Sequence, residues 1–132
     1  MVLGLLALIV MRRLLSPSWV VILLQTLGTA LMIWARVTFG RRSFHLAANP
    51  TEGGLVTTGP YRFIRHPIYT GVCLLAVGSL GAYPEWRTAL AVGSILVGIL
   101  VRILSEEALV IQRYPEYLQY CARTWRMLPY VF

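Results

Sequence analysis

Two short polar clusters hold the residues best suited to chemistry. Arg65, His66 and Tyr69 lie at the start of one long apolar segment, and Glu106-Glu107 follow the next apolar segment. Cationic and hydroxyl groups together can hold a carboxylate, whereas a carboxylate can bind an ammonium group or ribose hydroxyls. Ionisable residues gathered at the mouth of a membrane hairpin indicate a functional site.

The segments between these clusters predict a helical hairpin. Residues 68–83 and 86–104 are apolar, and Pro84-Glu85 interrupts them. Each arm has roughly the length needed to cross a ~30 Å hydrocarbon core at about 1.5 Å per residue. A chain that crosses and returns brings both polar clusters to the same membrane face.

Pro67 predicts where the first arm of the hairpin begins. Proline suits the first helical turn and pushes the preceding residue, His66, out of helical geometry. Arg65 and His66 then lie just outside a helix N-terminus, which favours an anion, and Tyr69 can point toward the same place. These residues predict a carboxylate pocket. The alternative is an interfacial collar of Arg, His and Tyr in contact with lipid headgroups.

The two glutamates have different surroundings on the predicted helix. Arg102 lies four residues before Glu106 and can pair with it, which would be a structural role for that carboxylate. Glu107 points about 100° away, and we expect it to be free to bind an ammonium group or ribose hydroxyls. Gly71 and the other small residues of the hairpin predict close helix packing, although Gly71 could also leave room for a ligand.

Composition predicts an integral membrane protein. The 132 residues, the size of one domain, are 58% hydrophobic and 13% charged, and their mean hydropathy is +0.69, well outside the range of soluble domains. The net charge of +7 comes from arginines spread among apolar segments, which is typical of membrane orientation and not of nucleic-acid binding. The two Cys and two His residues lack the close spacing of a zinc site, so no metal is predicted.

We predict an all-α integral membrane protein with about four transmembrane helices, including the C-terminal hairpin, followed by a short cytosolic helical tail. Residues 1–15 and 19–37 supply the first two spans, and Pro115 starts a tail helix with Tyr117 and Tyr120 on one face. The single domain, residues 1–132, divides into N-terminal membrane helices (1–37), a cytosolic loop (38–66), the hairpin (67–104) and the tail (105–132).

Charge asymmetry predicts the orientation of the chain. With four spans, nine arginines share the face that carries both polar clusters, and three lie on the other face, which makes the first face cytosolic. If residues 1–15 do not span, only the N-terminus changes side. The predicted location is multi-pass, in the inner membrane of a prokaryote or the endoplasmic reticulum of a eukaryote, with the site facing the cytosol.

Five stretches together resemble the isoprenylcysteine carboxyl methyltransferase family, in order and at the family's spacing. They cover roughly the C-terminal 80 residues, whereas residues 1–50 resemble the family only as membrane helices. Trp125 is a departure, since the family often has proline there. The stretches are residues 55–61, residues 65–71, Arg102 with Glu106-Glu107, residues 117–120 and residues 123–129.

The resemblance implies an enzyme that uses S-adenosylmethionine, held in a cytosolic pocket formed by the hairpin ends, the preceding loop and the covering tail. His66 and Tyr69 would hold the methionine carboxylate. Glu107, together with Glu106, would contact other polar groups of the cofactor. The remaining cofactor-binding residues implied in this way are Leu55, Val56, Tyr61 and Tyr120.

The resemblance also implies a catalytic set of Arg65, Glu107 and Arg123, in which the arginines orient the acceptor or close the site. Methyl transfer needs alignment and exclusion of water more than a nucleophilic side chain. The expected partners are membrane lipids and a lipid-like or prenylated acceptor, with carboxylate O-methylation favoured; nucleic acid is not expected, and no oligomeric state is predicted. The alternatives are a phospholipid amine N-methyltransferase, an NADPH-dependent sterol-reductase-like enzyme and a non-catalytic scaffold.

Overall fold

The computed structural model describes residues 1–12, 14, 18–40 and 55–132. Within these residues the chain is all-helical, as predicted, and the only strand-like pairing is an isolated parallel bridge between Ile64 and Trp125. Residues 41–54 of the predicted loop lie outside the described part. The helices are α1 (Val2–Val10), α2 (Trp19–Phe39), α3 (Pro67–Ala82), α4 (Trp86–Arg113) and α5 (Tyr117–Cys121), with a 3₁₀ turn at Gly59–Arg62.

Among the described residues, two helices are long and apolar enough to cross a membrane. α2 has 21 residues and α4 has 28, which corresponds to about 32 and 42 Å. α3 has 16 residues and α1 has 9, about 24 and 14 Å, both short of a ~30 Å core. α1 is shorter than the segment predicted over residues 1–15, because Arg12 adopts a φ of 53° just after it. The four-span arrangement stays a prediction.

Large apolar side chains cover the outside of the helices. Leu3, Leu90 and Val97 are each more than 60% exposed, whereas exposed apolar patches on soluble monomers are small. Smaller and β-branched residues fill the interior instead. The buried cluster includes Val72 and Ala76 of α3 and Ala91, Val92, Ile95, Ile99 and Ile103 of α4.

α2 and α3 approach closely at Gly28 and Gly71. A Cβ atom on Gly28 would lie 2.8 Å from the carbonyl oxygen of Gly71, and one on Gly71 would lie 2.6 Å from that of Gly28. Real Cβ atoms do not come this close to a backbone. The packing role predicted for Gly71 is confirmed, and the space beside it is filled by α2, so it leaves no room for a ligand.

The hairpin of α3 and α4 extends further than the sequence suggested. Its second arm was expected to end at residue 104, but α4 continues to Arg113. The helix ends there because Tyr114, which precedes Pro115, adopts extended geometry with φ −129° and ψ 91°, as proline imposes on the residue before it. Glu106 and Glu107 therefore lie on α4 itself, near its C-terminal end.

Candidate functional site

α3 begins where the sequence predicts. Pro67 is its first residue, and His66 has φ −124° and ψ 56°, outside helical geometry. The backbone N–H groups just before the helix bond to the C-terminal tail, defined from here on as residues 114–132. The Arg65 N–H donates to the Trp125 carbonyl at 2.7 Å, and the His66 N–H donates to the Arg126 carbonyl at 2.9 Å.

A buried ion pair joins the segment before α3 to the end of α4. Arg65 Nε donates to Glu107 Oε1 at 2.9 Å, and the two side chains are only 9% and 8% exposed. His66 Nε2 lies 3.3 Å from the same oxygen, and Arg126 Nε donates to Glu107 Oε2 at 3.0 Å. The expectation that Glu107 is free is therefore wrong, because the tail folds back and brings Arg126 onto a carboxylate that Arg65 and His66 already contact.

Glu106 differs from its neighbour because one of its oxygens accepts no hydrogen bond from the described residues. Its Oε1 accepts from the Tyr69 hydroxyl at 2.5 Å and from Arg102 Nε at 3.2 Å, so the predicted pair with Arg102 is confirmed. Its Oε2 lies 3.8 Å from His66 Nδ1, which is beyond hydrogen-bond distance. The side chain is 23% exposed. Glu106 therefore presents an accessible acceptor at the end of the hairpin.

The tail is fastened to the start of α3 by side chains as well as by backbone. Arg65 Nη1 donates to the carbonyl oxygens of Cys121 at 3.0 Å and Thr124 at 2.5 Å. The Thr70 hydroxyl donates to the Met127 carbonyl at 3.0 Å. The Trp125 N–H donates to the Phe63 carbonyl at 3.1 Å, a bond that proline could not make.

Tyr61 and Tyr120 form a second connection between the tail and the segment before α3. The Tyr120 hydroxyl donates to the Tyr61 carbonyl at 2.6 Å, and the Tyr61 ring packs 5.5 Å from that of Phe39 on α2. Gly59, with φ 56°, lets the turn approach Thr38 closely. Burial, with the nearby charge of Glu106, raises the pKa of Tyr61 to about 12.

A cleft of about 430 Å³ lies beside Phe39, within the size range of small-molecule sites. Its lining contains Leu55 and Val56 but neither His66 nor Glu107. Phe39 packs against Tyr61, which accepts a hydrogen bond from Tyr120. The Tyr120 carbonyl in turn accepts from Thr124, which Arg65 of the polar cluster contacts. The lining residues are Thr38, Phe39, Gly40, Leu55, Val56, Thr57 and Thr58.

Half of the ten predicted site residues therefore meet. Leu55 and Val56 line the cleft instead, and Tyr61 and Tyr120 bond to each other. Arg65, His66, Tyr69, Glu106 and Glu107 share one polar network, while Arg123 is exposed and has no side-chain hydrogen bond or ion pair to the described part of the chain. The position next to Glu107 is taken instead by Arg126, to which the sequence analysis assigned no role. No local pattern distinguishes two arginines three residues apart in a non-helical segment.

Comparisons with known proteins agree with the resemblance seen in the motifs. The family model of the isoprenylcysteine carboxyl methyltransferase (ICMT) family matches residues 18–112. The cobalt-zinc-cadmium resistance protein CzcN of Cupriavidus metallidurans is 34% identical over 116 residues, which are 85% of this chain and 52% of that protein. The nickel-cobalt-cadmium resistance protein NccN of Alcaligenes xylosoxydans xylosoxydans is 34% identical over 108 residues, 79% of this chain and 46% of that protein. The chain spans about half the length of these relatives. No solved structure matches it significantly.

Proposed function

The chain belongs to the isoprenylcysteine carboxyl methyltransferase family, and we propose that it transfers a methyl group from S-adenosylmethionine to a lipid-like or prenylated acceptor at the cytosolic membrane face. A carboxylate is the proposed methyl-accepting group. One observation carries the proposal: residues on both arms of the hairpin form one polar network at one end of the helices. That network consists of Arg65, His66, Tyr69, Glu106 and Glu107.

The chemistry of these residues fits the polar groups of S-adenosylmethionine. Glu106 Oε2, which makes no hydrogen bond within the described residues, can accept from the ammonium group of the methionine end. His66, at the start of α3, is suited to its carboxylate. Tyr69 can donate to the same carboxylate once its hydroxyl turns away from Glu106, to which it donates in the structure. The cleft that contains Leu55 and Val56 also has three threonines in its lining, so it offers apolar contact to a flat purine ring and polar groups for the ring nitrogens. Tyr61 and Tyr120 connect this cleft to the charged end.

The chain's part in the reaction is alignment and exclusion of water. The cofactor supplies an electrophilic methyl carbon when bound, so the protein needs no nucleophilic side chain. The exposed Arg123 is the proposed partner of an acceptor carboxylate, because a guanidinium binds such a group with two parallel hydrogen bonds. An acceptor with a lipid tail can reach the site along the exposed apolar faces of α2 and α4.

The metal-resistance names of the two relatives do not enter this proposal. The described residues contain no group of three or more His, Cys, Asp or Glu side chains that could hold a metal ion. The match over residues 18–112 shows the family, and methyl transfer is inferred from membership of that family.

The decisive experiment measures binding and transfer with the purified chain in lipid nanodiscs. We expect S-adenosylhomocysteine to bind and NADPH not to bind, and radiolabelled methyl groups to appear on a farnesylated cysteine with a free carboxylate. A variant changed at the opposite end of α4, Arg87→Gln, should bind and transfer like the original chain. Binding of NADPH alone would overturn the proposal. Methylation of water-soluble compounds only would overturn the lipid-like acceptor.

A further inference from the structure

We infer that Arg65 is a positioning residue that holds the tail over the cofactor site and does not contact the acceptor. The inference rests on the proposed function of this site and deepens it. Its basis is the guanidinium of Arg65, which bonds α4 and the tail at the same time. On α4 it reaches Glu107, and on the tail it reaches the backbone of Cys121 and Thr124.

Three of the five N–H donors of Arg65, those on Nε and Nη1, are used within the described residues. Nε donates to Glu107 at 2.9 Å, while Nη1 donates to the carbonyls of Cys121 and Thr124 at 3.0 and 2.5 Å. The side chain is 9% exposed, which leaves little surface for an acceptor carboxylate. These bonds leave from two separate nitrogens, Nε and Nη1, whereas the three donors of a lysine ammonium share one nitrogen and cannot reproduce this geometry.

The carboxylate of Glu107 binds both Arg65 and the tail. Arg65 binds one of its oxygens and Arg126, from the tail itself, binds the other. His66 shares the oxygen that Arg65 uses. The tail is thus connected to His66, which is proposed to hold the cofactor, both through this carboxylate and through the backbone bond of His66 to Arg126. Loosening the tail should therefore weaken cofactor binding.

The experiment compares Arg65→Lys with Arg62→Lys in the full chain in nanodiscs. Arg62 is exposed and three residues away, so it controls for the chemical change. Hydrogen exchange of tail peptides should become about tenfold faster in Arg65→Lys and stay unchanged in Arg62→Lys, since bonds to a buried charged group are lost. The KM for S-adenosylmethionine should rise about tenfold, with a smaller change in the KM for the acceptor.

The opposite pattern would overturn the inference. Unchanged tail exchange with a raised KM for the acceptor alone would make Arg65 an acceptor-binding residue. If Arg65→Lys does not fold, Arg65→Gln keeps a donor near the position of Nε and removes the Nη1 bonds to Cys121 and Thr124. Faster tail exchange in Arg65→Gln supports the inference, and unchanged exchange contradicts it. Wild-type protein that binds no S-adenosylhomocysteine would overturn the proposed function instead, and tail exchange in the variants would still decide whether Arg65 holds the tail.

Discussion

The Tyr69 hydroxyl donates a hydrogen bond to Glu106 Oε1 at 2.5 Å, joining the first turn of α3 to the end of α4. Arg102 Nε donates to the same hydroxyl at 2.8 Å, so the phenol is both donor and acceptor between two charged groups. This arrangement occupies one oxygen of Glu106 and leaves the other at the edge of the network. The two adjacent glutamates consequently have different surroundings, and we propose that only Glu106 binds the cofactor directly.

Glu106→Gln should weaken cofactor binding without loss of folding. The amide keeps the shape of the side chain but removes the charge that an ammonium group needs, so we expect about tenfold lower affinity for S-adenosylhomocysteine. Isothermal titration in nanodiscs measures this affinity. Glu116→Gln, an exposed glutamate, is the control. Equal affinities in Glu106→Gln and the control would contradict the assigned task.

Glu107→Ala should damage the fold more than the binding site. It leaves Arg65 buried without its carboxylate, and breaking one half of a buried pair costs about 3–5 kcal/mol. Thermal or denaturant unfolding in mild detergent should show a correspondingly large loss of stability, and a smaller loss for Glu107→Gln. Glu116→Ala provides the exposed comparison. A loss in Glu107→Ala as small as that in Glu116→Ala would show that the ion pair adds nothing to stability.

The helices of the site could be predicted from local rules, but the partners of its charges could not. Pro67 predicted the start of α3, and the four-residue spacing predicted the pair of Arg102 with Glu106, because both effects act within one or two helical turns. The partners of Glu107 come from 42 residues before it, Arg65, and 19 residues after it, Arg126. Those contacts depend on the path of the tail, which no local pattern specifies.

The path of the tail itself depends on three backbone hydrogen bonds that residue types do not reveal. The Trp125 N–H donates to Phe63, and the Arg65 and His66 N–H groups donate to Trp125 and Arg126. Such bonds pair main chains without a side-chain signature. Trp125, where the family often has proline, therefore adds a hydrogen bond to Phe63 that proline could not make. The sequence alone did not predict this bond.

Gly71→Ala should destabilise the packing of α2 against α3. The added methyl group would lie 2.6 Å from the Gly28 carbonyl oxygen, and overpacking of this kind costs about 1–3 kcal/mol. Gly93→Ala is a matched control on α4, because nothing lies within 4 Å of its added Cβ. We expect a lower unfolding temperature in detergent for Gly71→Ala and an unchanged or slightly higher one for Gly93→Ala. Equal unfolding temperatures would argue against close contact of the two helices.

Tyr61 should make stability fall at high pH. Its folded pKa of about 12 exceeds the ordinary value of about 10, so the folded state holds its proton more tightly than the unfolded state. The resulting stabilisation is complete below pH ~10 and is lost as the pH rises toward about 12. Unfolding temperatures measured from pH 8 to 11.5 should therefore fall less steeply in Tyr61→Phe than in the original chain. Parallel curves would show that Tyr61 does not titrate abnormally.

The cytosolic placement of the site can be tested by the accessibility of single cysteines. α4 is about 42 Å long, so Arg87 near its start and Arg123 in the tail should lie on opposite sides of a ~30 Å core. In a background with Cys73 and Cys121 replaced by alanine, a membrane-impermeant maleimide should label Arg87→Cys in intact cells. It should label Arg123→Cys only after the cells are permeabilised, because the arginine-rich face is expected in the cytosol. The reverse pattern would place the polar network outside the cell, away from a cytosolic cofactor, and equal labelling of both in intact cells would show that α4 does not cross the membrane.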